Sequence, residues 1–259
     1  MGQDAGRFPR KPVAVAGKLA LFGVASLSVA SGCGGSSHST SPASLRSRLL
    51  PASAVPTGTV APPSRPPAGA LPPGVPRSRV RVIPPPASGG RFSVERYFAW
   101  KNPIDVVGQG FVLPEVTAPS QGVDVVKKAG FDAGAGEALT QGAAGPQLLV
   151  DAIKFKSAAG ATQVRDWLHK QDLTQPCFSI CSENVSNLNL ASVPGSTAAK
   201  QVPLTKLPRN SPEPFDRYAV EFSMGPYLYT GVINGGPGTI SPKLFEKGAK
   251  AYYDHVKRQ

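Results

Sequence analysis

The sequence predicts an α+β domain: a mostly antiparallel sheet with helices packed on one face, preceded by a signal peptide and a disordered Pro-rich tether. Three observations carry that expectation. Residues 217–224 alternate between two faces, and after Gly225-Pro226 the residues Tyr227, Leu228, Tyr229, Val232 and Ile233 supply a second strand, the pattern of a β-hairpin around a glycine-led turn. The elements read in the order helix, strand, helix, strand, hairpin, helix, so sequential strands end the chain while the helices are scattered. Composition breaks near residue 91, and the roughly 168 residues beyond it can bury a proper core.

Residues 1–32 read as the signal peptide. Arg7, Arg10, Lys11 and Lys18 precede an uncharged apolar run from Leu19 to Val29, with Asp4 the only acid. Ala30-Ser31-Gly32 then supply a small-residue cut site before Cys33. The run is short for a bilayer, which takes about 20 residues. Two readings compete: an uncleaved transmembrane helix over 12–31 that must bury Lys18, and a plain signal peptide with an incidental cysteine. The residues Ala30 to Cys33 after such a run resemble the bacterial lipobox, with Ala30 where leucine is commonest. That resemblance implies cleavage between Gly32 and Cys33, a diacylated Cys33 thiol and an acylated new N-terminus. Its partner is then membrane lipid, on the extracytoplasmic face of a bacterial cell membrane. Several acyl chains make a stable anchor where one is marginal.

Residues 33–91 read as the tether. Ser41 to Arg91 carries thirteen prolines, seven arginines and no acid. Such a segment buries too little apolar surface to offset its conformational entropy, and polyproline II character is expected. As a coil it would reach roughly 40 Å, and ~150 Å fully extended, holding the domain off the membrane. Together with the signal segment it accounts for most of the net charge of +12. Residues 1–91 hold eleven Lys and Arg against one acid, net +10, and residues 92–259 hold seventeen against fifteen, net +2. The folded part lacks a basic–aromatic stripe, so no nucleic-acid partner is expected.

The domain, residues 92–259, opens on the short apolar stretch Tyr97-Phe98-Ala99-Trp100. Val123, Val126 and Ala129 at helical spacing predict a helix over 120–129, ended by Gly130. The Gly/Ala-rich 132–145 stretch reads as a short helix or a loop. Leu149, Asp151, Ile153 and Phe155 alternate with their neighbours as a strand. Ser157 can cap the next helix, whose stripe is Ala161, Val164, Trp167, Leu168 and Gln171. A strand is read over 184–193, and a proline-punctuated loop from Pro194 to Pro214. In the hairpin Tyr218, Val220, Phe222 and Met224 share one face. Ser241 caps a last helix with Pro242 at its first position and the stripe Phe245, Ala249, Tyr252 and Val256.

Cys177 and Cys181 remain as an even pair, which in an exported chain defaults to a disulfide. Its loop is very small, so stabilisation sits at the low end of ~2–4 kcal/mol. A redox pair would more typically read C-x-x-C, and a metal site needs three or four ligands.

Phe155 with Ser157-Ala158-Ala159-Gly160-Ala161 and a Trp167-bearing helix, Ser192-Val193-Pro194-Gly195, and an apolar hairpin followed by a last helix recur here beside the lipobox. Together they resemble uncharacterised actinobacterial cell-envelope lipoproteins, some with domains similar to the Mog1/PsbP-like fold. The resemblance covers about residues 145–259 and implies a solute-exposed binding or interaction domain, with no functional residues carried over.

No catalytic constellation is recognisable, and no cofactor or metal is expected. His169 and His255 each sit late in a helix, where a cation meets the dipole favourably. No G-x-S-x-G or P-loop occurs. Asp124, Asp132, Glu137 and Asp151 are candidate acid–base carboxylates. Tyr218, Phe222, Tyr227, Tyr229 and Tyr252 are either core or the lining of a ligand groove. The expected function is therefore a lipid-anchored envelope protein whose domain binds an envelope protein or small ligand without catalysis. The alternatives are a cell-wall hydrolase with an unrecognised carboxylate site and a single-pass, membrane-anchored structural domain.

Overall fold

Alternation in the sequence is realised as one antiparallel sheet of seven strands in the order β1-β2-β3-β7-β6-β5-β4. The computed structural model describes residues 40–56, 91–110, 119–141, 145–174, 184–202, 216–236 and 238–259. The strands are β1 Ser93–Trp100, β2 Phe131–Thr140, β3 Gln147–Phe155, β4 Asn184–Leu188, β5 Thr197–Val202, β6 Asp216–Met224 and β7 Tyr227–Gly235. The helices are α1 Pro42–Leu45, α2 Pro103–Asp105, α3 Pro119–Lys128, α4 Ala158–Thr174 and α5 Pro242–Lys257. The α+β class is as the sequence predicts.

The helices divide between the two faces instead of sharing one. α3 and α4 cover Trp100, Ile153, Phe155 and Leu228, whereas α5 covers Val150, Ala152, Phe222 and Tyr229. The physical reason lies in the central strands. Val150, Asp151, Ala152 and Ile153 are all buried, so both faces of β3 need a cover.

Helix ends follow the expected chemistry. Ser157 Oγ accepts a hydrogen bond from the Gly160 amide at 3.1 Å, and Ser241 Oγ accepts from the Leu244 amide at 3.1 Å. Gly130, at φ +78°, ends α3 in the left-handed region. The apolar stripe of α5 is buried at Phe245, Ala249, Tyr252 and Val256.

Two strands depart from expectation. The Gly/Ala-rich 132–145 stretch supplies β2, because Trp100 lies flat across it. A Cβ at Gly134 would stand 2.8 Å from Trp100 Cε3, and one at Gly136 would overlap the Trp100 ring and Asp151 Oδ1. The glycines give a strand with room for an indole, at the cost of the usual strand signal. Secondly, β5 lies within the expected 194–214 loop. It pairs on both sides, Ala198 with Leu188 of β4 and Ala199 with Ala219 of β6, and that pairing overrides its weak propensity. β4 ends at Leu188, and Leu190 and Val193 are buried in the turn that follows.

A third departure concerns the expected tether. Residues 40–56 pack on the α5 face, with Leu45, Leu49, Leu50 and Val55 in its core. These apolar side chains are spaced between prolines in a segment whose average composition hides them. Polar contacts fix the strap: Arg46 Nε meets Glu137 Oε1 at 3.3 Å, Arg48 Nη1 donates to Tyr229 Oη at 2.9 Å, and Tyr97 Oη donates to the Pro42 carbonyl at 3.2 Å. The remainder of the expected tether, 33–39 and 57–90, and the signal segment lie outside the described residues.

Candidate functional site

Strand alternation places Arg217, Ala219, Glu221 and Ser223 of β6 on the face that α4 covers. Register sets Thr197 of β5 opposite Glu221 and Gln201 opposite Arg217. α4 brings His169 and Asp172, three residues apart and hence on one side of the helix. The result is a buried polar cluster between helix and sheet. Arg217 Nη1 donates to Asp172 Oδ1 at 2.7 Å, and Gln201 Nε2 donates to the Asp172 carbonyl at 2.7 Å. Thr197 Oγ1 donates to Glu221 Oε2 at 2.9 Å, and His169 Nδ1 stands 3.9 Å from the same oxygen.

Burial above all, then the charge and hydrogen bond of Asp172, push the Glu221 carboxyl well above its ordinary value, against Thr197 and Arg217. The shift favours the protonated form of Glu221, whose proton can serve the hydrogen bond with Asp172. The Arg217–Asp172 ion pair and the Thr197 hydrogen bond to Glu221 are how three charged residue types are accommodated in one interior. Burial also lowers the His169 pKa, so its imidazole is neutral. That corrects the expectation of a cationic helix-end histidine. The cation's usual position is the last turn, and His169 lies five residues before the end of α4.

Above this cluster opens a cavity of about 320 Å³, lined by His169, Asn187, Leu188, Asn189, Ser196 and Thr197. Its outer wall, the turn between β4 and β5, is fixed from two helices. Arg165 Nη1 of α4 donates to the Gly195 carbonyl at 2.9 Å, and Ser192 Oγ donates to Glu246 Oε1 of α5 at 3.1 Å. Gly195 takes φ +70°, which closes that turn. Thr197 and His169 thus touch both the cavity and the buried Glu221.

Of the two readings of the aromatic group, core holds for four of its five members. Tyr218, Phe222, Tyr229 and Tyr252 are at most 1 % exposed, and Phe222 packs against Tyr229 at 5.2 Å and Tyr252 at 5.5 Å between ring centroids. Their hydroxyls are used internally: Tyr218 donates to the Ile240 carbonyl at 3.3 Å and Tyr252 to the Asp151 carbonyl at 2.8 Å. Tyr227 is half-buried beneath the Arg48 guanidinium, 4.0 Å from its ring centre. The cavity beside them, about 40 Å³, is apolar, and Leu50 and Val55 of the strap help to line it.

The four candidate carboxylates do not converge either. Glu137 and Asp151 point to opposite faces, Asp132 pairs with Lys154 at 3.1 Å, and Asp124 is exposed on α3. Gly32, Cys33, Cys177 and Cys181 lie outside the described residues. Among the described residues no group of three His, Cys, Asp or Glu side chains is placed to hold a metal ion. No described helix is long and apolar enough to cross a membrane.

Sequence reasoning did not single out Asp172, Thr197, Arg217 or Glu221. A usable signal was present: Gln171 belongs to the buried stripe of α4, and a central hairpin flanked by two amphipathic helices has both faces covered. Arg217 and Glu221 on the second face are then buried charges that need partners.

No family model matches the chain, and no curated protein matches it. Among solved structures the chain is similar to the extracellular domain of PknH from Mycobacterium tuberculosis, at 9% identity and a TM-score of 0.41, over 65% of this chain and 86% of that one. A likeness that slight carries no argument about this chain.

Proposed function

We propose that this chain is a bacterial envelope protein, lipid-anchored through Cys33 on the extracytoplasmic side, whose α+β domain binds a small polar ligand beside His169. The observation that carries the ligand site is the 320 Å³ cavity backed by the buried Glu221. Its polar walls are two amides, two hydroxyls and a neutral imidazole, with no lysine, arginine or carboxylate among them. Groups of that kind donate and accept hydrogen bonds equally, which fits a neutral ligand bearing hydroxyls or amides. N-acetylglucosamine is a suitable probe. Titrating it into the full chain is expected to shift the His169 ring resonances saturably while those of His255 stay fixed. Replacing Asn187 and Asn189 together by Ala is expected to weaken that binding about thirtyfold, at roughly 1 kcal/mol per lost hydrogen bond. Unmoved His169 resonances at every concentration refute the site.

The anchor has its own readout. The intact mass of the membrane-fraction protein is expected to equal the chain from Cys33 plus acyl groups, and Cys33→Ser is expected to stay uncleaved and unacylated. A full-length unacylated mass turns the first segment into a membrane span instead.

One observation favours the hydrolase as a second reading: Asp172 and Glu221 converge, and burial raises the pKa of Glu221. Neither lines the cavity, so an acid–base role must run through His169 or Thr197. Hydrolysis of a glycoside by the full chain, abolished in Glu221→Gln with binding retained, decides for that reading.

A further inference from the structure

The strap changes where the domain stands relative to its anchor. A tether running from Cys33 to residue 91 would let the domain roam, but Thr40 is already fixed on the domain, its hydroxyl bonded to Lys154 Nζ. Between Cys33 and Thr40 lie six residues, which span at most about 25 Å however they are arranged. Residues 57–90 then begin and end on the domain, at Pro56 and Arg91, and add nothing to its reach. An acylated Cys33 would therefore draw the domain to the membrane by the end that carries Thr40.

That end is basic. Lys154 closes β3, and the Lys156 amide donates to the Gly130 carbonyl at 2.8 Å, which brings the last turn of α3, Lys127 and Lys128, to the same edge. Lys154 pairs across the sheet with Tyr227, whose ring carries Arg48, and the neighbouring Ser47 carbonyl is bonded by His255 at 2.8 Å. The last turn of α5, which carries Lys257 and is followed by Arg258, thus ends there too. Lys127, Lys128, Lys156, Lys257 and Arg258 are exposed, and none forms an ion pair among the described residues. The acids nearby are Asp132, which is held by Lys154, Asp254, which is held by Lys250, Asp124 one turn back on α3, and the C-terminal carboxylate. The near-neutral net charge of the domain thus conceals a polarised surface.

We propose that the domain rests on the membrane by this edge, with Lys127, Lys128, Lys156, Lys257 and Arg258 against anionic phospholipid headgroups. The proposal rests on the Cys33 anchor and adds to it an orientation and a lipid preference. The acyl chains hold the domain within range, and the lysines choose which side faces down. Each basic side chain close to an anionic surface strengthens association about fivefold, and physiological salt confines the effect to about 8 Å. The cavity beside His169 is then presented by a domain of set orientation, not one free to tumble.

The test uses the full chain carrying its own acyl groups, reconstituted into vesicles of phosphatidylglycerol and phosphatidylcholine or of phosphatidylcholine alone. Sparse labelling with an amine-reactive reagent is read lysine by lysine by mass spectrometry. In the anionic vesicles, labelling of Lys127, Lys128 and Lys156 is expected to fall several-fold relative to Lys243 and Lys247 in the first turns of α5. High salt or pure phosphatidylcholine is expected to abolish the difference. The exposed triple variant Lys127→Gln, Lys128→Gln, Lys156→Gln is expected to release Lys257 from protection. Equal labelling of the two ends in an acylated sample overturns the orientation alone. An unacylated Cys33 in the same spectra overturns the anchor and the orientation with it.

Discussion

A chain that begins at Arg91, where composition places the domain boundary, is expected to lose most of its stability and to bind a hydrophobic dye. The strap buries Leu45, Leu49, Leu50 and Val55 on the α5 face. Each such side chain contributes about 1.5–3 kcal/mol on burial, so the four together compare with the roughly 5–15 kcal/mol that holds a whole domain. Its removal also strips partners from buried groups: Glu137, at 6 % exposure, loses Arg46, and the fully buried Tyr229 loses the Arg48 guanidinium. A buried acceptor left bare costs more than its hydrogen bond was worth. Single changes carry a smaller version of the effect, and Leu50→Ala is expected to cost about 2–5 kcal/mol. Thermal unfolding of the shortened chain, alone and with a peptide of residues 40–56 in excess, makes the measurement. The peptide is expected to raise the midpoint with concentration, since it binds only the folded domain. A shortened chain that melts with the full one refutes the strap.

What could be read from the sequence divides along a physical line. The β6–β7 hairpin and α5 were legible because their local signals agree with their burial: period-two alternation in one, a serine cap, a proline and a clean stripe in the other. β2 was hidden because its shape serves a neighbour. Gly134 and Gly136 are small to admit Trp100, and smallness leaves no strand signature. β5 was hidden because both its edges are paired by strands remote in sequence, and such pairing has no local trace. The strap was hidden by averaging, since three leucines among prolines do not move a composition window. The polar cluster was missed for another reason. Arg217 and Glu221 sit where an exposed hairpin would place its solvent-facing residues, and only the helix laid over them makes them interior.

Asp151→Asn is expected to flatten the fall of stability between pH 4 and pH 8. Asp151 lies 1 % exposed on the α4 face, where Thr230 Oγ1 donates to its Oδ2 at 2.8 Å, and its Oδ1 has no partner among the described residues. Burial pushes its pKa from 3.8 to about 8, against the lowering effect of the Thr230 hydrogen bond. The sign follows from proton counting. Between those two values the folded chain holds a proton that the unfolded chain has released, so stability drops as pH rises, by up to about 1.4 kcal/mol per unit. The drop starts near pH 4 and is complete as the folded group ionises near pH 8. Asparagine matches the protonated acid in shape and cannot ionise. The variant should therefore stand within about 1 kcal/mol of the parent at pH 4 and several kcal/mol above it at pH 8, with Thr230 turned to accept from the new amide. Glu221 adds a falling slope of its own, from its raised carboxyl, but that slope is common to both proteins and cancels in their difference. Denaturant unfolding at matched ionic strength across the range measures that difference. A gap between variant and parent that does not widen with pH means that Asp151 is ionised in the folded chain, and that its unpartnered oxygen is satisfied by a group the described residues do not supply.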